Sequence, residues 1–427
     1  MDKLKKINLK PIDLFLIVSL GITLLFILFN ITTKGMLFKE CVMDSPFLFS
    51  DYFYHLAGST DDVNVYSYGP PYAFPPFAYL IYYLLWSLNP YRDSGGITNW
   101  QNYRSADNAL VVFVIYNMLI MMILVYCINQ YFQERNTIKN EILLPTAILV
   151  SYPFMCTSIQ RGNIVALVAI MLSLVWLWMS SESKVKQELA LIFIAFAAGF
   201  KLYPALIGIV YIKRKEWKKA VRLIIYGIIV IFLPFIIFGG YKGAIDLYHT
   251  LRGIASYINP NKTNTVCGMV KWLGLKFNMP DSSANILGTI VNYIFLVSSL
   301  LFFFMSKRKW QEALFLNGIL VSFLPSNWVY TLVYYLSTFF LFMQEYNKDM
   351  RSNEWKTNAW IIVHVIGFGM IFSVDFLMVY YKYGLITGIF TITYLLIGIN
   401  MINILYERAK SGENLLKGRM NGWRGCR

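Results

Sequence analysis

Leu14-Phe15-Leu16-Ile17-Val18-Ser19-Leu20-Gly21-Ile22-Thr23-Leu24-Leu25-Phe26-Ile27-Leu28-Phe29 carries no charge from end to end. A helix needs roughly 20 apolar residues to cross a hydrocarbon core. Backbone in lipid must also bond to itself, so a run of this kind predicts a membrane helix. No small-residue cleavage site follows it. The run therefore reads as a retained first span rather than a secretory leader.

The remainder of the chain repeats this pattern. Of its 427 residues 57% are hydrophobic and 14% charged, and mean hydropathy is +0.52. Soluble domains keep about a quarter of their residues charged. The apolar blocks predict about twelve spans, near 12–31, 74–90, 108–131, 141–159, 163–180, 189–211, 222–239, 285–306, 312–325, 327–345, 358–380 and 384–406. The expected fold is an all-α polytopic membrane protein, one integral domain over 1–427. Barrel strands would alternate over short segments, and these blocks do not.

The net charge of +15 would suit nucleic acid if it were gathered on one surface. Instead it lies in short clusters between apolar spans, as the positive-inside rule expects. With the N-terminal segment 1–11 and the basic tail 407–427 both cytoplasmic, 25 of the 38 lysines and arginines fall inside. The inverted orientation reverses that bias. The expected location is the cell membrane, multi-pass, with no nucleic-acid partner. The five cysteines are scattered without CxxC spacing, and the acidic residues show no ligand spacing. No metal or other cofactor is expected.

Two outer segments, 32–73 and 240–284, are too long to be simple turns. Their aromatic, amphipathic pieces, Phe47–Leu56 and Leu247–Ile258, suit interfacial helices. In the first, Ser50-Asp51-Tyr52-Phe53-Tyr54-His55 places Asp51 and His55 on one helical face. A carboxylate held among aromatics at a membrane surface suits a general base, although an ordinary loop aspartate has the same spacing. Gly69 to Pro76 then leads into the second span through prolines and aromatics that suit a ligand-holding wall or a plain interface.

Lys201, near the middle of the span 189–211, is costly in lipid unless paired or hydrated, and so is a candidate for binding an anion. Asp375 is a candidate counter-charge. Arg161, in the polar turn Gln160-Arg161-Gly162-Asn163, suits a bidentate phosphate contact or a positive-inside anchor on the cytoplasmic side. In the second outer segment Asp246, His249, Arg252, Asn264 and Lys271 cluster by sequence, and the two cations suit an anionic headgroup. Leu324-Pro325-Ser326-Asn327-Trp328-Val329-Tyr330 forms a further outward-facing polar break.

In order, Asp51 in Ser-Asp-Tyr-Phe-Tyr, Tyr72-Ala73-Phe74-Pro75-Pro76, Arg161-Gly162-Asn163, Lys201-Leu202-Tyr203-Pro204 with the basic run Lys213 to Arg222, Asn264 and Pro325-Ser326-Asn327-Trp328 resemble glycosyltransferase family 87. That family is a branch of the GT-C superfamily that includes polyprenyl-phosphate-mannose-dependent mannosyltransferases. The resemblance runs from about residue 10 to 345. It implies a GT-C-like bundle whose two outer loops carry interfacial helices. It also implies sugar transfer from a polyprenyl-phosphate donor to a glycolipid or glycan acceptor on the outer face.

The family's base falls on Asp51, giving inversion as in glycosidases whose base works across the ring from the leaving group. The lipid-phosphate candidates are Lys201, Arg252 and Lys271. The chain departs from the pattern at Asn264-Thr265-Val266, where Asn-Gln-Ser is frequent. It departs again at Tyr330, where a histidine is frequent, so that Tyr330 or His249 would stand in. It departs also at Asn163, where glutamine is usual. The competing readings are a transporter or flippase of an anionic lipid-linked substrate, and a glycan polymerase or ligase. The first would show repeated halves, and the second more outer-loop arginines.

Overall fold

The computed structural model describes residues 10–36, 48–61, 64–68, 72–88, 104, 107–132, 137–255, 265–324, 327, 329–346, 355–372 and 388–411. Among these residues the chain is helical and contains no β-strand. Helix α1 spans Pro11–Thr32, with proline where the first N–H has no helical partner and Asp13 against the positive end of the dipole. The outer-segment helix α2 spans Ser50–Asp61 and the short α3 spans Pro76–Leu88. Helix α4 covers Asp107–Phe132. A pair bent by 68° follows, α5 at Lys139–Leu149 and α6 at Tyr152–Gln160. Then come α7 (Val165–Trp178), α8 (Lys184–Phe200), α9 (Tyr203–Lys213, opening in a 3₁₀ turn) and α10 (Trp217–Phe232).

The second half holds α11 (Gly240–Ala255), α12 (Val266–Lys276), α13 (Asp281–Met305) and α14 (Lys309–Ser322). It ends with α15 (Tyr335–Tyr346), α16 (Trp355–Ile371) and α17 (Gly388–Lys410). Four described helices are each long and apolar enough to cross a membrane: Pro11–Thr32, Ala109–Phe132, Trp217–Ile236 and Asp281–Met305. The bent pair makes a fifth if it counts as one crossing. The chain is thus a multi-pass membrane bundle. Leu20, Leu28, Met122, Ile224 and Ile294, all on the long helices, are exposed, as lipid-facing positions should be. At the other extreme α7 and α14 are enclosed almost entirely by neighbours.

Two expected spans are drawn differently by the structure. The stretch 189–211 is not one helix. Glu188, near the start of α8, accepts from Arg222 and Tyr226 of α10, each at 2.5 Å. Gly199, at the end of α8, packs on Val230. Helices α8 and α10 therefore run parallel, and α9 runs back between them. Arg214, just past α9, accordingly donates to Ser180, just before α8, at 3.1 Å. The break falls at Lys201, which is extended with φ −147 and ψ 128. Pro204 opens the next turn and cannot continue the old helix. Lys201 is therefore not mid-span but at a reversal of the chain.

The stretch 74–90 also differs. Helix α3 has 13 residues, about 20 Å of helix, and it does not carry the chain to the far side. Helix α4 begins beside α2, since Phe113 and Tyr116 pack on Tyr52. It ends at the far side, where Tyr131 packs on Phe340 and donates to the Ser173 carbonyl. Lys139, which opens α5, ion-pairs with Asp13 at the start of α1. Helices α5 and α6 then climb back, and the Arg161 turn arrives next to Asp51 rather than on the opposite, basic side. The charge rule had little to read here, because the loops between 91 and 163 are nearly neutral.

Candidate active site

Helix α2 begins at Ser50, beside the polar turn that precedes α7. Its first N–H groups are satisfied by that turn, more than a hundred residues further on. Phe49 N–H donates to the Gln160 carbonyl at 2.6 Å. Asp51 and Tyr52 N–H both donate to the Arg161 carbonyl, at 2.9 and 3.2 Å. Orphan donors at a helix start need such partners. Phe49 takes the left-handed conformation (φ 60) to present its N–H, and its ring rests on Phe113 at 4.6 Å.

The same turn holds the Asp51 carboxylate. Asn163 Nδ2 donates to Oδ2 at 2.8 Å, while Arg161 Nε lies 3.4 Å from Oδ1 and Ser50 Oγ 3.3 Å from it. Asn163 Oδ1 accepts the Val165 N–H at the start of α7, at 3.1 Å. That bond fixes the amide so that its nitrogen faces Asp51. Gly162 makes the geometry possible, with φ +65 and a Cβ position 2.6 Å from Tyr52 Cβ. Any larger residue would be strained in backbone and crowded in space. The carboxylate is mostly covered, with 18% of its side chain exposed.

Within electrostatic reach of it is the Lys201 ammonium. The reversal after α8 places its Nζ 4.1 Å from the centre of the Phe74 ring and 5.9 Å from that of Tyr330. Both rings are suited to a cation over the face. Lys201 is half-buried and within electrostatic reach of Asp51 and His55. His55 stacks on Phe74 with centroids 4.0 Å apart, and its Nδ1 is 3.3 Å from the Tyr79 hydroxyl. Burial and, second, the Lys201 charge push the imidazole down to about 3. His55 is thus neutral at ordinary pH and forms part of the aromatic floor. It is not a cation offered to substrate. Tyr72 closes over this floor, stacking on Tyr54 at 4.6 Å, with only Gly58 leaving room for it.

The structure therefore brings together Asp51, Arg161, His55, Lys201 and Tyr330 from the sequence-derived candidates. His249 and Arg252 are exposed on α11. Lys271 is buried on α12 and ion-paired with Asp281 at 3.1 Å. Asn264 and Asp375 lie outside the described residues. The two outer segments do meet elsewhere, where Asn64 donates to Asp246 at 2.8 Å. Sequence reasoning missed Asn163 as the carboxylate's partner and Phe74 as the platform for Lys201. The available signals were a polar residue in a tight Gly-containing turn and an aromatic between prolines.

Asp51, held by Asn163 and Arg161, and the Lys201 ammonium form a polar cluster at one end of the helical bundle. The family model for glycosyltransferase family 87 matches residues 72–327, more than half of the chain. The protein belongs to that family and is a membrane glycosyltransferase. Arg161, Asn163 and Lys201 fall within the matched segment, while Asp51 precedes it. No curated protein matches the chain.

Proposed function

We propose that the chain transfers a sugar, with inversion, from a polyprenyl-phosphate donor to a hydroxyl acceptor on the outer face of the cell membrane. The observation that carries this reading is the juxtaposition of a clamped Asp51 and the Lys201 ammonium on one end of the bundle. An Asp51 oxygen accepts the proton of the acceptor hydroxyl as the hydroxyl oxygen bonds to the anomeric carbon. The bond from that carbon to the phosphate oxygen breaks, and its electron pair leaves on the phosphate. Phosphate departs without a strong acid if its charge is met, which is the role of Lys201. Phe74 and Tyr330 support that ammonium from their ring faces.

Asn163 and Arg161 hold the carboxylate in place, so that the base does not have to be ordered during reaction. Arg161 acts here on Asp51 and not as an independent phosphate ligand. We read the architecture as twelve crossings, with α9 replacing α3 as a crossing segment. Lys139, Lys184 and Lys186 then join the cytoplasmic side, which keeps the positive-inside bias and both cytoplasmic termini. The family resemblance points to a mannosyl donor.

The test is reconstitution of the purified full chain with a panel of polyprenyl-phosphate sugars, comparing wild type with Asp51→Asn and Lys201→Ala. Transfer should fall by about 10²–10⁴-fold without the base and by about 10²–10³-fold without the cation. Transfer that survives Asp51→Asn would overturn the base assignment. Substrate movement across the membrane without transfer would favour a carrier.

A further inference from the structure

At the end of the bundle opposite Asp51, one carboxylate stands among four cations. Glu312, at the start of α14, is 2.6 Å from Lys213 Nζ and 3.6 Å from Arg214. Lys213 is saturated, since its ammonium also donates to the carbonyls of Phe303 and Ser306 at 2.6 and 2.8 Å. Glu312 and Lys213 therefore neutralise one another. Arg214 and Lys309 also act on each other as like charges, an effect Glu312 offsets only in part, and Arg408 acts on Lys213 in the same way. Arg408 is tethered to the Met305 carbonyl at 3.3 Å, and its Nε is buried without a hydrogen-bond partner. Nearby Arg308 is already engaged, with Glu345 at 3.0 Å.

Glu312 offsets one of the four positive charges, so the cluster keeps an excess that a further anion would balance. Two of the four are arginines, whose planar forks match phosphate oxygens. The surroundings identify the source of that phosphate. The Arg408–Met305 contact joins α17 to α13, and Leu301, Phe304, Ile402 and Leu405 are exposed on those two helices. Tyr406 and Trp217, also exposed, mark the level of a membrane interface. A headgroup at the cations and an acyl chain against these apolar side chains satisfy both halves of the site.

We propose that Arg214, Lys309 and Arg408 bind the phosphate of an anionic phospholipid in the leaflet opposite Asp51. This site is independent of the transfer reaction and does not rest on it. The test is native mass spectrometry of the purified full chain in detergent, titrated with phosphatidylglycerol or with phosphatidylcholine. Wild type should retain phosphatidylglycerol about tenfold better. Arg408→Ala with Lys309→Ala should bring the two lipids to parity. Lys309→Ala alone changes an exposed side chain, and should lower the preference several-fold without disturbing folding. Equal retention of both lipids by wild type, or an unchanged preference in Lys309→Ala, would overturn the proposal. So would displacement of phosphatidylglycerol by an equal concentration of inorganic phosphate, which would make the occupant a free anion.

Discussion

Asp51 and Glu312 sit at opposite ends of one bundle, and each is a carboxylate held against basic residues. Glu312 is nearly enclosed and is 2.6 Å from an ammonium whose other two bonds go to backbone carbonyls. That arrangement ties the α9 end to the turn between α13 and α14 and leaves nothing for a substrate. Asp51 is held by an amide at 2.8 Å and by a guanidinium at the longer distance of 3.4 Å. The nearby cation Lys201 rests on aromatic faces, where Lys213 is bound by one carboxylate and two carbonyls. On the proposed function, the same charge pairing serves structure at the Glu312 end and chemistry at the Asp51 end.

The comparison predicts opposite phenotypes. Asp51→Asn should abolish most transfer, about 10²–10⁴-fold, while the melting temperature of the purified protein moves little. Glu312→Ala should do the reverse. Leaving Lys213 buried beside a lost partner should destabilise the fold by about 3–5 kcal/mol, read by thermal unfolding in detergent. Transfer per folded molecule should stay close to wild type. If Glu312→Ala lowers turnover while stability holds, the division between the two ends fails.

The aromatic floor sharpens the contrast through pH. His55 has a folded pKa of about 3, below its ordinary value of 6.5, so the unfolded chain binds its proton first. Stability is full above about pH 6.5 and is lost as pH falls toward 3, by about 1.4 kcal/mol per unit. His55→Phe should flatten that acid slope in unfolding experiments. A slope unchanged by the substitution would place the acid sensitivity elsewhere.

Smaller effects belong to the turn that clamps Asp51. Gly162→Ala forces a side chain into a left-handed position and against Tyr52, costing about 2 kcal/mol. Turnover should fall with it, because the Arg161 carbonyl that caps α2 must shift. Asn163→Ala removes one hydrogen bond and should lower turnover about tenfold. Asn163→Asp should lower it further, since a second carboxylate would face the first. Equal turnover in all three variants would show that Asp51 needs no clamp.

Much of this molecule was legible from local chemistry. Long uncharged runs such as Leu14–Phe29 must be helices in lipid, since no other structure satisfies their backbone there. The same reading singled out Asp51 among aromatics after the first span, and Asp51 is the carboxylate that the Arg161–Asn163 turn holds. The break at Lys201 was written in Pro204, yet a proline inside an apolar run reads equally as a kink within one span. Only the parallel packing of α8 and α10 showed that the chain turns back there. Side of membrane failed for Arg161 because neutral loops carry no orienting charge.

What the amino-acid order determined by itself was therefore helix formation, apolar length and net charge bias, which depend on residues close together in the chain. What the tertiary structure decided was which groups meet. Asn163 reaches Asp51 across 112 positions, and Lys201 reaches Phe74 and Tyr330 from three separate segments. Such contacts depend on how whole helices pack. No periodicity or spacing within one helix encodes them.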